Sequence, residues 1–264
     1  MMNVGFLGCG NIAQAMIVGL LDSGLKPASI TVLTRNQKKK KFYEKNSIKR
    51  LAVTKANSTN FDFIFLCVKP ADAKDAIEGS TVNWGKTTLV SVVAGISSQK
   101  LKIFANSEKV IRIMPTTSAE FGKSITAIFM AEEQKKQTKE LIPLLNKMGS
   151  TIELSSEKDL HEFTAVVGSG QAFIMEALKQ YDEKLLKFSK NKNAASKNLA
   201  MFISSIAQHI ELNNGIEPSI KKIMSPKGTT YSGLKALKKN KISNIFKSAF
   251  KAAEKRSKEI QNEY

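Results

Sequence analysis

The chain has 264 residues, of which 42% are hydrophobic and 24% are charged, and its formal net charge at pH 7 is +18. This length suits two modest domains, each with enough apolar residues to form a core. Two cysteines without metal-ligand spacing, and the lack of an apolar run of about 20 residues, argue against a disulfide-stabilised or membrane-spanning protein. We therefore expect a reduced, cytoplasmic protein with no signal peptide, no membrane association and no bound metal.

The positive charge is spread widely along the chain. Its lysines fall on most of the predicted helices, and only residues 38–41 form a run. A protein that binds nucleic acid clusters its basic residues on one face, where the release of counterions favours binding. A solvated, lysine-rich surface explains the observed distribution better. We therefore expect no nucleic-acid partner, whereas small anionic molecules are suitable ligands.

The first part of the chain alternates short apolar runs with helical patterns, which is typical of a parallel sheet with crossover helices. Apolar runs predict strands at residues 3–7, 30–34, 61–68, 88–93, 110–114, 125–130 and 151–154. Helical spacing predicts helices at residues 14–23 and 132–148. This part of the chain is therefore predicted to have an α/β fold.

The pattern changes from residue 155 onward, where runs of strand length stop. Apolar residues then recur at helical spacing, at Leu160, Phe163, Val167, Ile174, Leu178 and Tyr181. Residues 189–197 have low complexity and are predicted to form a loop between helices. We therefore predict an α/β Rossmann-like N-terminal domain at residues 1–154, followed by an all-α C-terminal domain at residues 155–264.

A glycine turn stands between the first predicted strand and the first predicted helix. Its residues are Gly8, Cys9, Gly10, Asn11, Ile12 and Ala13. Gly8 allows a tight turn, Gly10 lets the backbone approach a diphosphate, and the small Ala13 lets helix and strand pack closely. The turn therefore predicts a dinucleotide-binding site. The alternative is a chance glycine turn in some other α/β protein.

The residues after the second predicted strand bear on which dinucleotide is bound. An NAD site usually has an acidic residue here, which bonds the ribose hydroxyl. This sequence instead continues through Thr34, Arg35 and Asn36 into the lysine run, without a carboxylate. Arg35, together with Thr34, is suited to a ribose 2′-phosphate, which predicts NADPH as the cofactor and leaves NADH possible. The alternative is that Arg35 and the lysines only form solvated surface.

Two further loops follow predicted strands, Val-Lys-Pro at residues 68–70 and Ala-Gly-Ile at residues 94–96. Open parallel sheets bind ligands at the carboxyl ends of their strands, so these loops are expected to pass over the nucleotide and its nicotinamide. Each is also an ordinary loop when taken alone, because proline stops a strand and glycine turns the chain.

Motifs in both parts of the chain resemble those of one enzyme family. They are Gly8-Cys9-Gly10-Asn11-Ile12-Ala13, Val68-Lys69-Pro70, Ala94-Gly95-Ile96, Arg112-Ile113-Met114-Pro115, Gly168-Ser169-Gly170-Gln171-Ala172-Phe173, Ser225-Pro226-Lys227-Gly228-Thr229-Thr230 and Ala252-Ala253 with Arg256-Ser257. In this order and spacing they resemble the motifs of the pyrroline-5-carboxylate reductases, the enzymes of the last step of proline synthesis. The resemblance covers nearly the whole chain.

The resemblance implies an NADPH-dependent reduction of 1-pyrroline-5-carboxylate to L-proline by a homodimer or a larger homo-oligomer. Together with the turn and strand ends, it indicates cofactor binding by Gly8, Gly10, Asn11, Ile12, Ala13, Thr34, Arg35, Asn57, Val68, Lys69, Pro70, Ala94, Gly95, Met114 and Pro115. It implies substrate binding by Gly168, Gly228, Thr229 and Thr230, and catalytic roles for Thr230 and Ser169.

The second-half motifs can also be interpreted from their residues. The stretch at residues 225–230 offers successive N–H groups and two hydroxyls, which suits a small carboxylate, although a plain loop and helix cap is the alternative. Gly168 and Gly170 inside a helical pattern cost about 1 kcal/mol each relative to alanine. They therefore indicate the close approach of a ligand or of another backbone, with close helix packing as the alternative to a ligand.

The sequence departs from the family pattern at several positions. Thr116 and Ser118 stand where the family usually has Asn and Pro, Gln171 replaces a Pro, and Lys227 replaces a Gly. Residues 181–197 also differ from the segment that follows in the family. Lys227 either adds attraction for a carboxylate or, if the lost glycine needs a positive φ, crowds the loop.

Two other functions stay open at this point. A degenerate paralogue that binds nucleotide as a regulator is suggested by the substituted loop residues. A β-hydroxyacid dehydrogenase would need a catalytic lysine in the linking helix, and none stands at residues 168–172. His161 and His209 lie in helical patterns with no cue to a metal or a nucleophile, so both are expected to be structural.

Overall fold

The computed structural model describes residues 2–35 and 39–263. The chain forms two compact units, one made of Met1–Gly168 with Ala253–Tyr264 and the other of Ser169–Ala252. The first unit therefore runs past the predicted boundary at residue 154 and includes a later segment as well. Within the described residues, no helix is both long enough and apolar enough to cross a membrane.

The first unit contains one eight-stranded sheet. Its strands are β1 (Val4–Leu7), β2 (Ile30–Leu33), β3 (Lys49–Leu51), β4 (Phe63–Leu66), β5 (Thr88–Ser91), β6 (Val110–Met114), β7 (Ser124–Phe129) and β8 (Gly149–Glu153). Their order across the sheet is β3-β2-β1-β4-β5-β6-β7-β8. Strands β1 to β6 are parallel, so their carboxyl ends meet at one edge of the sheet.

The central strands are short and apolar almost throughout. Strands β1, β2, β4 and β5 are buried at all four of their positions. Parallel strands covered on both faces have continuous apolar runs rather than an alternating pattern, which is why the sequence reveals them. In β1, Val4 lies opposite both Ile30 and Phe63, which places β1 between β2 and β4.

Two features of the sheet differ from the prediction. Strand β7 is antiparallel to β6, so the sheet is not parallel throughout. Only residues 115–123 connect these strands, which is fewer than the dozen or so residues that a parallel crossover needs. The sequence analysis also missed β3, because this three-residue edge strand carries a lysine and an arginine and has no apolar run.

Among the described residues, six helices of the first unit precede the second unit in the chain. They are α1 (Asn11–Asp22), α2 (Lys40–Lys45), α3 (Ala73–Glu78), α4 (Ser98–Ala105), α5 (Lys135–Asn146) and α6 (Asp159–Phe163). Helix α1 begins three residues before its predicted start, and a 3₁₀ turn at Glu132–Gln134 leads into α5. Helices α2 to α4 were not predicted, because six to eight residues are too few to show an apolar period.

Apolar side chains pack on both faces of the sheet. Phe6 belongs to the cluster that includes residues of α1 and α5, whereas its neighbour Leu7 belongs to the cluster with residues of α3 and α4. Successive side chains of a strand point to opposite faces, so the single strand β1 supports both clusters. Burial of each such side chain contributes about 2 kcal/mol to folding.

Helix α1 approaches the 3₁₀ helix Thr117–Phe121 very closely. A Cβ atom on Gly19 would clash with the backbone carbonyl oxygen of Ala119. Gly19 is therefore required for packing, since no side chain fits between these two backbones.

The second unit is helical, as predicted for this part of the chain. Its helices are α7 (Gly170–Leu186), α8 (Lys192–Leu212), α9 (Ile216–Ile223), α10 (Thr229–Lys239) and the first part of α11 (Ile242–Glu263). The predicted loop at residues 189–197 is wrong in its second part, since α8 begins at Lys192. Asn191 caps this helix, and its side-chain oxygen accepts a hydrogen bond from the N–H of Ala194 at 2.9 Å.

Candidate functional site

The glycine turn begins where β1 ends. Gly8 has φ +95°, and its N–H donates a 2.9 Å hydrogen bond to the carbonyl of Leu33 at the end of β2. A Cβ atom on Gly8 would lie 2.8 Å from both the carbonyl oxygen of Cys67 and a methyl group of Val68. Both the backbone conformation and the space therefore require glycine here.

Helix α1 starts directly after this turn. Gly10 is its N-cap residue, with extended backbone and no side chain to bond the first turn. The first N–H groups of a helix have no partner within the helix. Two of these groups belong to the exposed Asn11 and the half-buried Ile12, next to the turn. Ala13 is fully buried against the sheet. This arrangement leaves N–H groups and the positive end of the helix dipole available for an anion.

A cavity of about 240 Å³ lies beside the turn, at the carboxyl ends of β1 and β2. Its lining residues are Leu7, Gly8, Leu33, Thr34, Arg35, Val53, Val68, Asp72, Asp75 and Ala76. The structure thus brings together four of the predicted cofactor-binding residues, namely Gly8, Thr34, Arg35 and Val68. The cavity lies next to the point where the strand order reverses between β1 and β4, which is where open α/β sheets bind nucleotides.

Arg35 is exposed, and its side chain extends across this cavity to α3. Its Nη2 donates a 3.3 Å hydrogen bond to the backbone carbonyl of Asp75. In the neighbouring lysine run, Lys39 to Lys41 are also exposed, whereas Asn36 and Lys38 lie outside the described residues. The guanidinium of Arg35 is therefore a cationic group at the end of β2, as a 2′-phosphate site requires.

Sequence reasoning did not identify the acidic residues of the cavity. Asp72 and Asp75 belong to the segment after β4, and the crossover places them opposite Arg35. No pattern in the sequence pointed to them, because they are ordinary surface residues of a short helix that was not predicted.

The other predicted cofactor residues lie at the same edge of the sheet. Lys69 is exposed and precedes the 3₁₀ turn that begins at Pro70. Ala94 and Gly95 follow β5, Met114 ends β6 and Pro115 comes next. Asn57 lies instead in the 3₁₀ helix Val53–Ser58, where its N–H donates to the hydroxyl of Thr81 at 3.2 Å, and it does not line the cavity.

Thr116, where the family usually has Asn, is buried just after β6. Its N–H donates a 3.0 Å hydrogen bond to Oγ of Ser124, and its own hydroxyl lies 3.4 Å from the same oxygen. Ser124 also bonds to Thr126 at 3.0 Å. The threonine is thus held in a local hydroxyl network that ties the end of β6 to β7.

Neither cysteine near the turn is set up as a nucleophile. Burial raises the pKa of Cys9, although Tyr43 and Lys39 oppose this effect, and burial raises the pKa of Cys67 further. Both thiols therefore stay protonated at neutral pH. In the described part of the chain, no group of three or more His, Cys, Asp and Glu residues is placed to hold a metal ion.

The predicted substrate loop lies in the second unit. Gly228 is the N-cap residue of α10, and Thr229 and Thr230 are the first two residues of the helix. Gly228 has extended backbone, with φ −79°, and a Cβ atom there would meet the rotatable hydroxyl of Ser225. The first N–H groups of α10 and the two hydroxyls are thereby grouped at a helix start, where a carboxylate is stabilised.

Lys227 adopts the left-handed conformation, with φ +60°. This is the position at which the family usually has glycine, and the backbone of this chain has here the positive φ that glycine adopts without strain. A non-glycine residue in this region of backbone space is strained by roughly 1 kcal/mol. The chain therefore carries an exposed ammonium group beside Gly228.

The glycine motif of the second half follows an unusual helical turn. Residues Thr164–Gly168 form a π-helical segment, and Ser169 precedes α7 as its N-cap residue. A Cβ atom on Gly168 would be 3.8 Å from the methyl group of Thr164, which is ordinary contact. Nothing described in this chain crowds Gly168, so packing within the chain does not explain this glycine.

His161 is buried and structural, as predicted. Its Nδ1 lies 2.9 Å from Oγ of Ser257, and its Nε2 lies 2.5 Å from Oε1 of Gln261. Both ring nitrogens are therefore used to hold the end of α11 against α6.

The order of β1 to β6, with a glycine turn after β1, defines a Rossmann-type dinucleotide-binding protein. Two family models match the chain. A model described as "pyrroline-5-carboxylate reductase dimerisation" matches residues 157–260, and one described as "NADP oxidoreductase coenzyme F420-dependent" matches residues 3–95.

Full-length relatives agree with these matches. The pyrroline-5-carboxylate reductase of Staphylococcus epidermidis is 32% identical over 270 residues, covering 99% of this chain and 98% of the relative. Pyrroline-5-carboxylate reductase 2 of Bacillus subtilis is 31% identical over 273 residues, covering 100% and 97%. The solved structure of a pyrroline-5-carboxylate reductase from Coxiella burnetii is 25% identical, with a TM-score of 0.86 over 98% of both chains. The chain belongs to the pyrroline-5-carboxylate reductase family, a family of oxidoreductases.

Proposed function

We propose that the protein is an NADPH-dependent reductase that converts 1-pyrroline-5-carboxylate to L-proline. The observation that carries the proposal is that two motifs each end a turn at the start of a helix. Gly8 is required at the end of β1, Gly228 is the N-cap residue of α10, and in both places the turn presents helix N–H groups. These are the positions where a diphosphate and a carboxylate are expected from the resemblance.

On the cofactor side, the first turn of α1 binds the diphosphate and Arg35 binds the 2′-phosphate of the adenosine ribose. The reduced nicotinamide supplies a hydride when it is bound. The match of residues 3–95 to an NADP oxidoreductase model supports this assignment. Asp72 and Asp75 lie opposite Arg35 and face the same ribose region of the cavity.

On the substrate side, the N–H groups of Thr229 and Thr230, beside Gly228 at the start of α10, bind the carboxylate. The N–H of Gly228 itself donates to the carbonyl of Ser225 at 3.1 Å. The ring nitrogen of the substrate is already protonated, so the adjacent carbon accepts the hydride directly and the nitrogen keeps its proton as the amine of proline. The protein therefore acts mainly by aligning the nicotinamide with the substrate, which lowers the entropic part of the reaction barrier. The resemblance assigns Thr230 and Ser169 to the surroundings of the ring, with Thr230 as a possible proton relay.

The active assembly is proposed to be a homodimer or a larger homo-oligomer. The dimerisation model matches residues 157–260, which include the whole second unit. This unit carries large apolar side chains that are at least one-third exposed, among them Ile174, Met175, Ile203, Ile206 and Ile210. Exposed apolar surface of this kind marks an interface.

The test of the function is an assay of purified protein with NADPH and 1-pyrroline-5-carboxylate. Oxidation of NADPH and formation of proline are measured together. We expect Thr230→Val to lower kcat/KM about tenfold or more, because a hydroxyl in the site is removed without a change of shape. Ser232→Ala, at an exposed position two residues further along α10, is the matched control and should stay within about twofold.

Protein that binds NADPH normally but forms no proline would overturn the proposed function. It would then favour the second candidate, a nucleotide-binding regulator. The observation in favour of that candidate is the strained Lys227 in the substrate loop. Expression in a proline auxotroph separates the two, because only an active reductase restores growth without proline.

A further inference from the structure

The turn after β5 is held in a single conformation by several unrelated parts of the first unit. It runs from Val93 to Ser98 and contains Gly95, which is buried with φ +79°. The turn lies at the carboxyl edge of the sheet, on the far side of β4 from the cavity that Arg35 lines. If the adenosine half of the cofactor occupies that cavity, this turn is positioned for the nicotinamide half.

Arg112 holds the start of the turn. It lies on β6 with a side chain only 3% exposed, and its Nη2 donates to the carbonyl of Val93 at 3.4 Å. Burial lowers the pKa of Arg112, and the hydrogen bond and charge of Glu157 oppose this effect only in part. A charge removed from water in this way is retained only where a partner is fixed beside it.

Glu157 holds the end of the turn and is that partner. Its Oε1 accepts hydrogen bonds from Nη1 of Arg112 at 2.9 Å and from the N–H of Ser98 at 2.6 Å, and its Oε2 accepts one from the hydroxyl of Ser98 at 2.9 Å. Burial opposes the ionised form, but the bonds from Arg112 and Ser98 prevail and lower the pKa of Glu157. Ser98 is the first residue of α4, where the helix dipole also favours a carboxylate.

The end of α11 covers the middle of the turn. A Cβ atom on Gly95 would lie 2.5 Å from Cγ2 of Ile260 and 3.0 Å from its backbone carbonyl carbon. His161 fixes this part of α11 through Ser257 and Gln261. The turn is therefore tied at both ends by one ion pair and covered at Gly95, so its conformation depends on residues far from it in sequence.

We propose that Arg112 and Glu157 are positioning residues that hold the turn at Gly95 in the conformation that accepts the nicotinamide half of the cofactor. The proposal rests on the proposed function, since it takes the sheet edge to be the cofactor site. Neither side chain is required to touch the cofactor. Their effect is carried by the carbonyl of Val93 and the N–H of Ser98, which fix the two ends of the turn.

The test compares two ligands that differ in whether they reach the turn. Binding of NADPH and of 2′,5′-ADP, which contains only the adenosine half, is measured by calorimetry for the wild type and for Glu157→Gln. The amide keeps the shape of the side chain but turns one acceptor into a donor. We expect the Kd of NADPH to rise about tenfold, as for the loss of one charged hydrogen bond, and the Kd of 2′,5′-ADP to stay within about twofold.

The matched control is Glu108→Gln. Glu108 forms an ion pair with Lys102 of α4 at 2.6 Å and is largely exposed. It follows the last residue of α4, so Glu108→Gln removes one negative charge near this helix but away from the turn at Gly95. It should leave both Kd values within about twofold. Ser98→Ala removes a single hydroxyl donor and provides the decisive measurement if Glu157→Gln does not fold.

The proposal is overturned if Glu157→Gln weakens both ligands equally, or if it leaves the Kd of NADPH unchanged. Failure of the proposed function is a separate outcome. In that case the wild type forms no proline, while the comparison of the two ligands still reports on the turn.

Discussion

At the scale of single residues, Arg35 decides between the two nicotinamide dinucleotides under the proposed function, because only NADPH carries a 2′-phosphate. We expect Arg35→Ala to raise the KM for NADPH about tenfold to a hundredfold, the range for a lost hydrogen bond between charged groups. The KM for NADH should stay within about twofold. Steady-state kinetics with both cofactors checks this expectation.

Lys74→Ala is the control for Arg35. Lys74 is an exposed residue of α3 that does not line the cavity, so its removal changes the net charge nearby without changing the site. An unchanged KM for NADPH in Arg35→Ala would contradict the assignment and leave Arg35 as solvated surface.

Replacing Lys227 with glycine is expected to stabilise the protein, whereas replacing a residue with glycine usually destabilises it. This replacement relieves about 1 kcal/mol of left-handed strain and loses about half of that through the greater freedom of the unfolded chain. We expect Lys227→Gly to raise the free energy of unfolding by about 0.5 kcal/mol. Unfolding in guanidinium chloride measures it.

A second lysine shows whether the conformation is the cause. Lys235 lies within α10 in helical conformation, and Lys235→Gly should lower the free energy of unfolding by about 1 kcal/mol. A loss of similar size in both variants would show that the strain at residue 227 is not relieved by glycine.

At the scale of the elements, the contact between α1 and the 3₁₀ helix Thr117–Phe121 depends on a missing side chain. Gly19→Ala forces a methyl group against the carbonyl of Ala119, and overpacking of this kind costs about 2 kcal/mol. We expect a clear fall in the thermal midpoint. Gly233→Ala in α10 is the control, because no atom lies within 4 Å of the added methyl group, and it should be neutral or slightly stabilising.

The elements that could be predicted are those whose local sequence determines them. Strand β4 has the sequence Phe-Ile-Phe-Leu, which is buried at every position and has no polar residue to suggest another structure. Helices α2, α3 and α4 are too short to show a period, and their place is set by the strands that they connect. The direction of β7 depends on the length of its connection to β6. An apolar run predicts a strand but does not indicate whether that strand is parallel or antiparallel to its neighbour.

The candidate site likewise contains residues that the local sequence predicts and residues whose place depends on the fold. The turn at Gly8 could be predicted, because a glycine between a strand and a helix has a local mechanical reason. Arg35 could be proposed for the end of β2, but the position of Asp72 and Asp75 opposite it depends on the crossover through α3. The ties between Arg112, Glu157 and the turn at Gly95 could not be predicted, since they join residues up to 59 positions apart.

At the scale of the whole molecule, the exposed apolar residues of the second unit predict the state of assembly. We expect the wild type to sediment at twice the 29.0 kDa mass of the chain or a higher multiple. Ile206→Asp should shift the population toward the monomer, because a charge placed in an apolar interface is left unpaired.

Gln208→Asp is the matched control on the same helix. Gln208 is exposed and already polar, so the added charge should leave the sedimentation unchanged. A monomeric wild type at micromolar concentration would contradict the proposed assembly.

The contact between Gly95 and Ile260 also has a consequence during synthesis. These residues lie 165 positions apart, and the whole second unit is translated between them. A ribosome adds about 5 to 20 residues per second, so roughly 7 to 30 s pass between completion of β6 and the arrival of Ile260. In a nascent chain, strands β1 to β6 have therefore been synthesised while the turn at Gly95 is still uncovered. Under the proposed function, the turn at Gly95 reaches the conformation that accepts the nicotinamide half only after both units have been synthesised.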